Sequence, residues 1–198
     1  MPSKIHLIAI GGSVMHNMAL ALVRQGHHVT GSDDQIFEPA KSRLARVGIL
    51  PDKEGWDAGK INSDLDVVIL GMHAKIDNPE LLRALELEIP VYSFPAYVSE
   101  MFHGKLKVVV AGSHGKTTTT SMIMHVLKSL NLSFDFLVGA QLEGFDEMVA
   151  FSEAPLAIIE GDEYLSSCLD LRPKFLHYAP QILIITGIAW DHYNVFPT

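Results

Sequence analysis

Val108-Val109-Val110-Ala111-Gly112-Ser113-His114-Gly115-Lys116-Thr117-Thr118-Thr119-Thr120 leads from an apolar strand, through a turn bounded by glycines, into a segment with helical apolar spacing at Met122, Ile123, Val126, Leu127 and Leu130. Strand, glycine turn, lysine, hydroxyl and helix, in that order, make a grip for a polyphosphate. Glycines let backbone N–H groups turn inward, the helix offers the positive end of its dipole, Lys116 supplies a mobile charge, and Thr117 supplies an oxygen for Mg²⁺. ATP is the expected ligand, cradled by Gly112, Ser113, His114, Gly115, Lys116, Thr117 and Thr118. The general phosphate-loop pattern has four residues between its first glycine and the Gly-Lys pair, and here only Ser113 and His114 stand there, so this is a shortened variant. The competing reading is a tight turn with a surface lysine ahead of a threonine-rich helix.

Upstream, short apolar runs alternate with helical patterns. Strands are expected at Ile5–Ile10 and His28–Ser32 and helices at Val14–Gln25 and Pro39–Val47; then come a strand at Asp66–Leu70, a helix from Pro79 to Leu87, a strand at Pro90–Ser93 and a short helix at Pro95–Phe102. This order predicts a parallel α/β sheet. His103-Gly104-Lys105 interrupts it, and the strand at Leu106–Ala111 starts a second unit, so the expected domains are 1–103, Rossmann-like, and 104–198, part of a phosphate-loop α/β ATPase domain. Beyond the loop helix, strands are expected at Phe134–Val138, Leu156–Glu160, Lys174–Tyr178 and Gln181–Thr186.

Ligands of open parallel sheets bind beyond the C-terminal strand ends, which makes Gly11, Gly12 and Ser13 after the first strand, Asp33 after the second and His73 after the third candidate binding residues. An acid about 20 residues after such glycines can hold a ribose hydroxyl, which would suit NAD or FAD. The full dinucleotide fingerprint is absent, because Ser13, Val14, Met15 and His16 follow the glycines; a UDP-sugar is preferred over a nicotinamide cofactor. A plain strand-to-helix turn also accounts for Gly11-Gly12, and capping by Asn78 ahead of Pro79 accounts for the helix entry after His73. In Ile158-Ile159-Glu160-Gly161-Asp162-Glu163-Tyr164, Glu160 ends an apolar strand and is the first choice for a carboxylate on Mg²⁺, with a solvated acidic loop as the alternative. Asp191-His192 has a similar placement after the last strand.

Composition narrows the classes further. The 198 residues carry a formal charge of −8, which opposes nonspecific nucleic-acid binding, and 48% hydrophobic residues suffice for a core. No apolar run approaches the roughly 18 residues of a membrane span, and Met1-Pro2-Ser3-Lys4 runs straight into a strand without a leader-like segment, so a cytoplasmic protein is expected. A single cysteine, Cys168, cannot form an internal disulfide. The ten histidines show no metal-ligand spacing.

Gly112-Ser113-His114-Gly115-Lys116-Thr117-Thr118-Thr119, Glu160-Gly161-Asp162-Glu163-Tyr164 and Asp191-His192 together resemble the Mur ligase family over nearly the whole chain. Gly31-Ser32-Asp33 and the stretch from Arg172-Pro173-Lys174-Phe175 to His177-Tyr178-Ala179-Pro180 look most like members that join UDP-N-acetylmuramate to a murein tripeptide in peptidoglycan recycling. Members using L-alanine are the near alternative, and a noncatalytic nucleotide-binding module is another. The resemblance implies an ATP- and Mg²⁺-dependent amide-forming ligase working through an acyl phosphate, with a UDP-sugar domain, a central ATPase domain and a closing C-terminal domain that this chain lacks; alone, the chain is expected to be inactive. Lys116 then serves the transferring phosphoryl group, Thr117 and Glu160 serve Mg²⁺, and His192 serves a second metal or the acyl phosphate. Gly187 and Ala189 depart from the asparagine and glutamate that commonly precede the family's Asp-His pair.

Overall fold

The computed structural model describes residues 2–189, which divide into two compact units: residues up to Tyr97 with Ser166–Leu171, and Val98–Leu165 with the segment from Arg172 onward. The first unit is built on β1 (Lys4–Ile8), α1 (Ser13–Arg24), β2 (His28–Ser32), α2 (Ala40–Arg46), β3 (Val67–Leu70), α3 (Pro79–Glu86) and β4 (Val91–Ser93). Its sheet has the order β2-β1-β3-β4, with every pairing parallel. Successive strands therefore go to opposite sides of β1, and the C-terminal ends of β1 and β3 flank the crevice where such sheets take ligands.

The apolar runs make this core. Ile5, Leu7, Ile8, Val68, Ile69 and Leu70 are fully buried, as are Met18, Ala19 and Leu22 of α1. On one face Leu81 and Ala84 of α3 pack with Ile8, Val68, Leu70 and Ile61. Each buried Val, Leu, Ile or Met side chain here contributes about 1.5–3 kcal/mol relative to exposure. α3 begins as its sequence dictates: the Asn78 side chain accepts the N–H groups of Glu80 (2.9 Å) and Leu81 (3.1 Å), and Pro79 occupies the first turn, where no N–H is needed. Beneath the sheet lies a buried polar group that the apolar pattern does not reveal. His6 meets Thr30 Oγ1 (2.8 Å) and Glu80 Oε2 (3.3 Å), and Asp57 N–H donates to Glu80 Oε1 (2.9 Å). Burial pushes the Glu80 carboxyl up, but hydrogen bonds from His6, the Asp57 backbone and Ser32 outweigh it and hold the group below its ordinary range.

The chain continues through α4 (Phe94–Met101) into the second unit, formed by β5 (Leu106–Ala111), α5 (Lys116–Ser129), β6 (Asp135–Leu137), β7 (Val149–Ala150), β8 (Leu156–Glu160) and β11 (Ile182–Ile185); between β8 and β11 comes a hairpin of β9 (Leu165–Ser167) and β10 (Asp170–Pro173), whose residues Ser166–Leu171 group with the first unit. Its sheet order is β11-β5-β8-β6-β7, parallel except for β7 against β6. The central β5 and β8 hold Val109, Val110, Ala157, Ile158 and Ile159 fully buried.

Three local expectations need correction. β1 stops at Ile8, because Ala9 takes a left-handed backbone (φ 68°) and both Ala9 and Ile10 donate to the Ser32 carbonyl at 2.9 and 3.1 Å. Lys174–Tyr178 is a 3-10 helix rather than a strand: its first two N–H groups are taken by the carbonyls of Tyr164 (2.9 Å) and Asp162 (3.1 Å), and Tyr178 is buried. α5 forms where expected but turns Thr120 and Met124 inward, leaving Met122, Val126 and Leu130 exposed.

Candidate functional site

The second unit gathers the phosphate-loop residues at the C-terminal edge of its sheet. β5 ends at Ala111, the turn runs through Gly112 to Gly115, and α5 starts at Lys116. Gly112 has φ +123°, and a Cβ there would lie 2.8 Å from Gly187 N, Gly187 O and Thr186 Oγ1, so only glycine fits. The far wall of the turn is the end of β11. Thr186 N–H donates to Ala111 O (2.9 Å), Ser113 N–H to Gly187 O (3.0 Å) and Ala189 N–H to Ser113 Oγ (3.2 Å), while the Thr186 hydroxyl donates to Ala111 O and His114 O. Sequence reasoning missed this wall; the signal was a threonine and a glycine directly after an apolar strand.

Glu160 ends β8 as the register partner of Val110, which brings its carboxylate beside the loop. The Thr117 hydroxyl donates to Glu160 Oε1 (2.8 Å), and Gly139 N–H donates to Glu160 Oε2 (3.0 Å). Lys116 Nζ donates to Gly112 O (2.6 Å) and lies 3.1 and 2.9 Å from the two carboxylate oxygens of Glu163. The acids at and beyond the end of β8 therefore meet different side chains: Glu160 meets Thr117, Glu163 meets Lys116, and Asp162 pairs with Lys174. Glu163 was legible only as one member of an acidic run.

These groups suit a nucleotide with Mg²⁺. Helix-start N–H groups and an ammonium face one turn, and a hydroxyl and a carboxylate sit within hydrogen-bond reach of each other, both hard oxygen donors. Among the described residues no group of three or more His, Cys, Asp or Glu is arranged around a metal position. A cation here would be held by Thr117 and Glu160 with oxygens from its ligand and solvent, the usual habit of Mg²⁺. His192 lies outside the described residues.

In the first unit, Gly11 N–H donates to Asp33 Oδ2 (2.7 Å) and Asp34 N–H to Asp33 Oδ1 (2.9 Å), so the acid after β2 fastens the glycine turn after β1. Burial raises the Asp33 carboxyl to about 6, opposed by the Gly11 N–H. Gly12 precedes α1 as its N-cap residue and Ser13 opens the helix. His16, buried, bonds the Gly12 carbonyl through Nδ1 (2.9 Å), and burial lowers its pKa and favours the neutral ring. His73 is exposed on the turn after β3, at the same strand ends as Gly11 and Asp33. Cys168 packs against the α3 core cluster, and burial pushes its thiol up, away from the thiolate a nucleophile requires.

Known proteins share this sequence and fold. The model of the Mur ligase family, catalytic domain, matches residues 4–105, just over half of the chain. A UDP-N-acetylmuramate–L-alanyl-gamma-D-glutamyl-meso-2,6-diaminoheptandioate ligase from Haemophilus influenzae is 34% identical over 97% of this chain and 42% of its own length. A UDP-N-acetylmuramate–L-alanine ligase from Rubrobacter xylanophilus is 38% identical over 96% of this chain and 40% of its own length. Among solved structures, the UDP-N-acetylmuramate:L-alanyl-gamma-D-glutamyl-meso-diaminopimelate ligase of Neisseria meningitides superposes with a TM-score of 0.89 at 33% identity, over 99% of this chain and 64% of that one. The chain thus spans about two fifths of the length of the curated relatives it matches. Sequence, fold and relatives agree that the chain belongs to the Mur ligase family.

Proposed function

We propose that this chain carries the UDP-sugar-binding and nucleotide-loop portions of an ATP-dependent ligase that joins UDP-N-acetylmuramate to a murein tripeptide. Residues 1–103 take the UDP-sugar, through Gly11, Gly12, Ser13, Asp33 and His73, and residues 104–198 take Mg²⁺ and ATP. The observation that carries the reading is the convergence of Lys116, Thr117 and Glu160 at one sheet edge. ATP supplies the phosphoryl group that turns the muramyl carboxylate into an acyl phosphate open to attack by an amine. Lys116 meets the phosphate charge, the Gly112–Thr118 backbone orients it, and Thr117 with Glu160 holds the cation; positioning and charge stabilisation are the protein's whole contribution.

L-alanine is the second candidate amine, favoured by the 38% identity to the Rubrobacter enzyme, whereas the 0.89 TM-score to the Neisseria structure favours the tripeptide. The test is ligation by a polypeptide of the relatives' full length, offered L-alanine and L-alanyl-γ-D-glutamyl-meso-diaminopimelate in parallel with UDP-N-acetylmuramate and Mg²⁺-ATP. Amide formation with the tripeptide is expected. Product from L-alanine alone assigns the other amine, and product from neither refutes the ligase reading. Titrating the 198-residue chain with UDP-N-acetylmuramate and with NAD separates this reading from an oxidoreductase, which predicts the reverse preference.

A further inference from the structure

Glu163 holds the lysine that the nucleotide must use. Its carboxylate lies within 2.9 Å of Lys116 Nζ, and the two side chains are only 21% and 16% exposed, so water screens the pair less than a surface one. The position is built. Gly161 lets the acidic loop lie directly on β5, since a Cβ there would come 2.7 Å from Val109 Cγ1. On either side of Glu163 the backbone is tied to the 3-10 helix: Asp162 O accepts from Phe175 N–H (3.1 Å) and Tyr164 O from Lys174 N–H (2.9 Å). The Asp162 carboxylate is matched by Lys174 and also takes Tyr164 N–H at 3.0 Å. Among the described residues the Lys116 ammonium here meets the Glu163 carboxylate, with the Glu160 carboxylate beside it on the Thr117 hydroxyl.

Incoming phosphates therefore meet two carboxylates and a lysine already engaged. Thr117 and Glu160 would hold a divalent cation, which would neutralise phosphate charge and free Lys116 to exchange Glu163 for phosphate oxygens. Building on the nucleotide-loop reading above, we propose that Glu163 is a positioning residue that makes nucleotide entry depend on the divalent cation, by keeping Lys116 from phosphates that arrive without it. The acid does not touch the reacting atoms in this account; it acts through Lys116.

The experiment is calorimetric titration of the 198-residue chain with ATP, in excess Mg²⁺ and in EDTA, for the unaltered protein, Glu163→Gln, Glu163→Ala, and Glu153→Gln as a remote change of equal charge at an exposed position. Removing the carboxylate should tighten metal-free ATP binding about tenfold while Mg²⁺-ATP affinity moves less than about threefold, and Glu153→Gln should change neither ratio. Two substitutions of different size guard against loss of fold in one. If both Glu163 variants retain the unaltered protein's metal requirement, or Glu153→Gln relaxes it equally, the proposal is overturned and the nucleotide loop stands. If the unaltered chain binds no ATP in either buffer, the loop reading itself fails, and this proposal with it.

Discussion

Replacing Gly112 with alanine perturbs the loop at its tightest point. At φ +123° an alanine adopts a conformation nearly reserved for glycine, at about 1–3 kcal/mol. Its Cβ would also meet Gly187 N, Gly187 O and Thr186 Oγ1 at 2.8 Å; two of these are backbone atoms, so the end of β11 must move, and overpacking of this kind costs about a further 1–3 kcal/mol. The movement strains the bonds from Ser113 N–H to Gly187 O and from Thr186 N–H to Ala111 O. Gly104→Ala in the same unit is the matched control: its φ is +75°, nothing lies within 4 Å of the added Cβ, and only the left-handed backbone cost of about 1 kcal/mol applies. Urea denaturation followed by circular dichroism should rank Gly112→Ala below Gly104→Ala by about 1–5 kcal/mol. Equal stability of the two variants would refute the claim that the β11 end walls the loop.

Three further outcomes follow from the geometry. Asp33 holds a proton up to about pH 6, whereas its ordinary value is 3.8, so between these values the folded chain binds a proton the unfolded chain has released; stability is highest below that window and falls as pH rises through it. At about 1.4 kcal/mol per pH unit the loss is at most about 3 kcal/mol, and Asp33→Asn, which keeps an acceptor for Gly11 N–H, should flatten the denaturation midpoint between pH 4 and about 6; an unchanged slope contradicts the assignment. Lys105 pairs with Asp135 at 2.7 Å, with the Asp135 side chain 1% exposed, so Lys105→Met strands a buried carboxylate and should lower stability by about 3–5 kcal/mol in urea denaturation, against nearly zero if the pair is incidental. Thr117→Val removes the hydroxyl on Glu160 and should weaken Mg²⁺-ATP binding about tenfold in calorimetry, with metal-free binding unchanged.

Much of the strand and helix order was legible because parallel strands buried on both faces read as unbroken apolar runs. His28–Ser32 and Leu156–Glu160 match their elements at both ends, and Asn78-Pro79 announces α3. The failures in strand placement share a cause: long-range hydrogen bonds override local pattern. Phe175, Leu176 and Tyr178 look like strand residues until the acidic loop takes the N–H groups of Lys174 and Phe175. Ile182 and Leu183 are the same kind of apolar run yet remain 47% and 43% exposed, because among the described residues β11 is the edge strand of its sheet. In the site, glycine spacing and a strand-end acid pointed to Lys116, Thr117 and Glu160 together. No local pattern distinguishes Glu163 from Asp162, because only the fold decides which acid faces the lysine.

The central claim is that Gly112–Thr118 is a nucleotide grip in which Lys116 meets the phosphates. Calorimetric titration of the chain and of Lys116→Ala with Mg²⁺-ATP tests it most directly. Loss of charge-assisted hydrogen bonds to phosphate should weaken binding by about 10- to 100-fold in the variant. Equal affinity in the two proteins would contradict it.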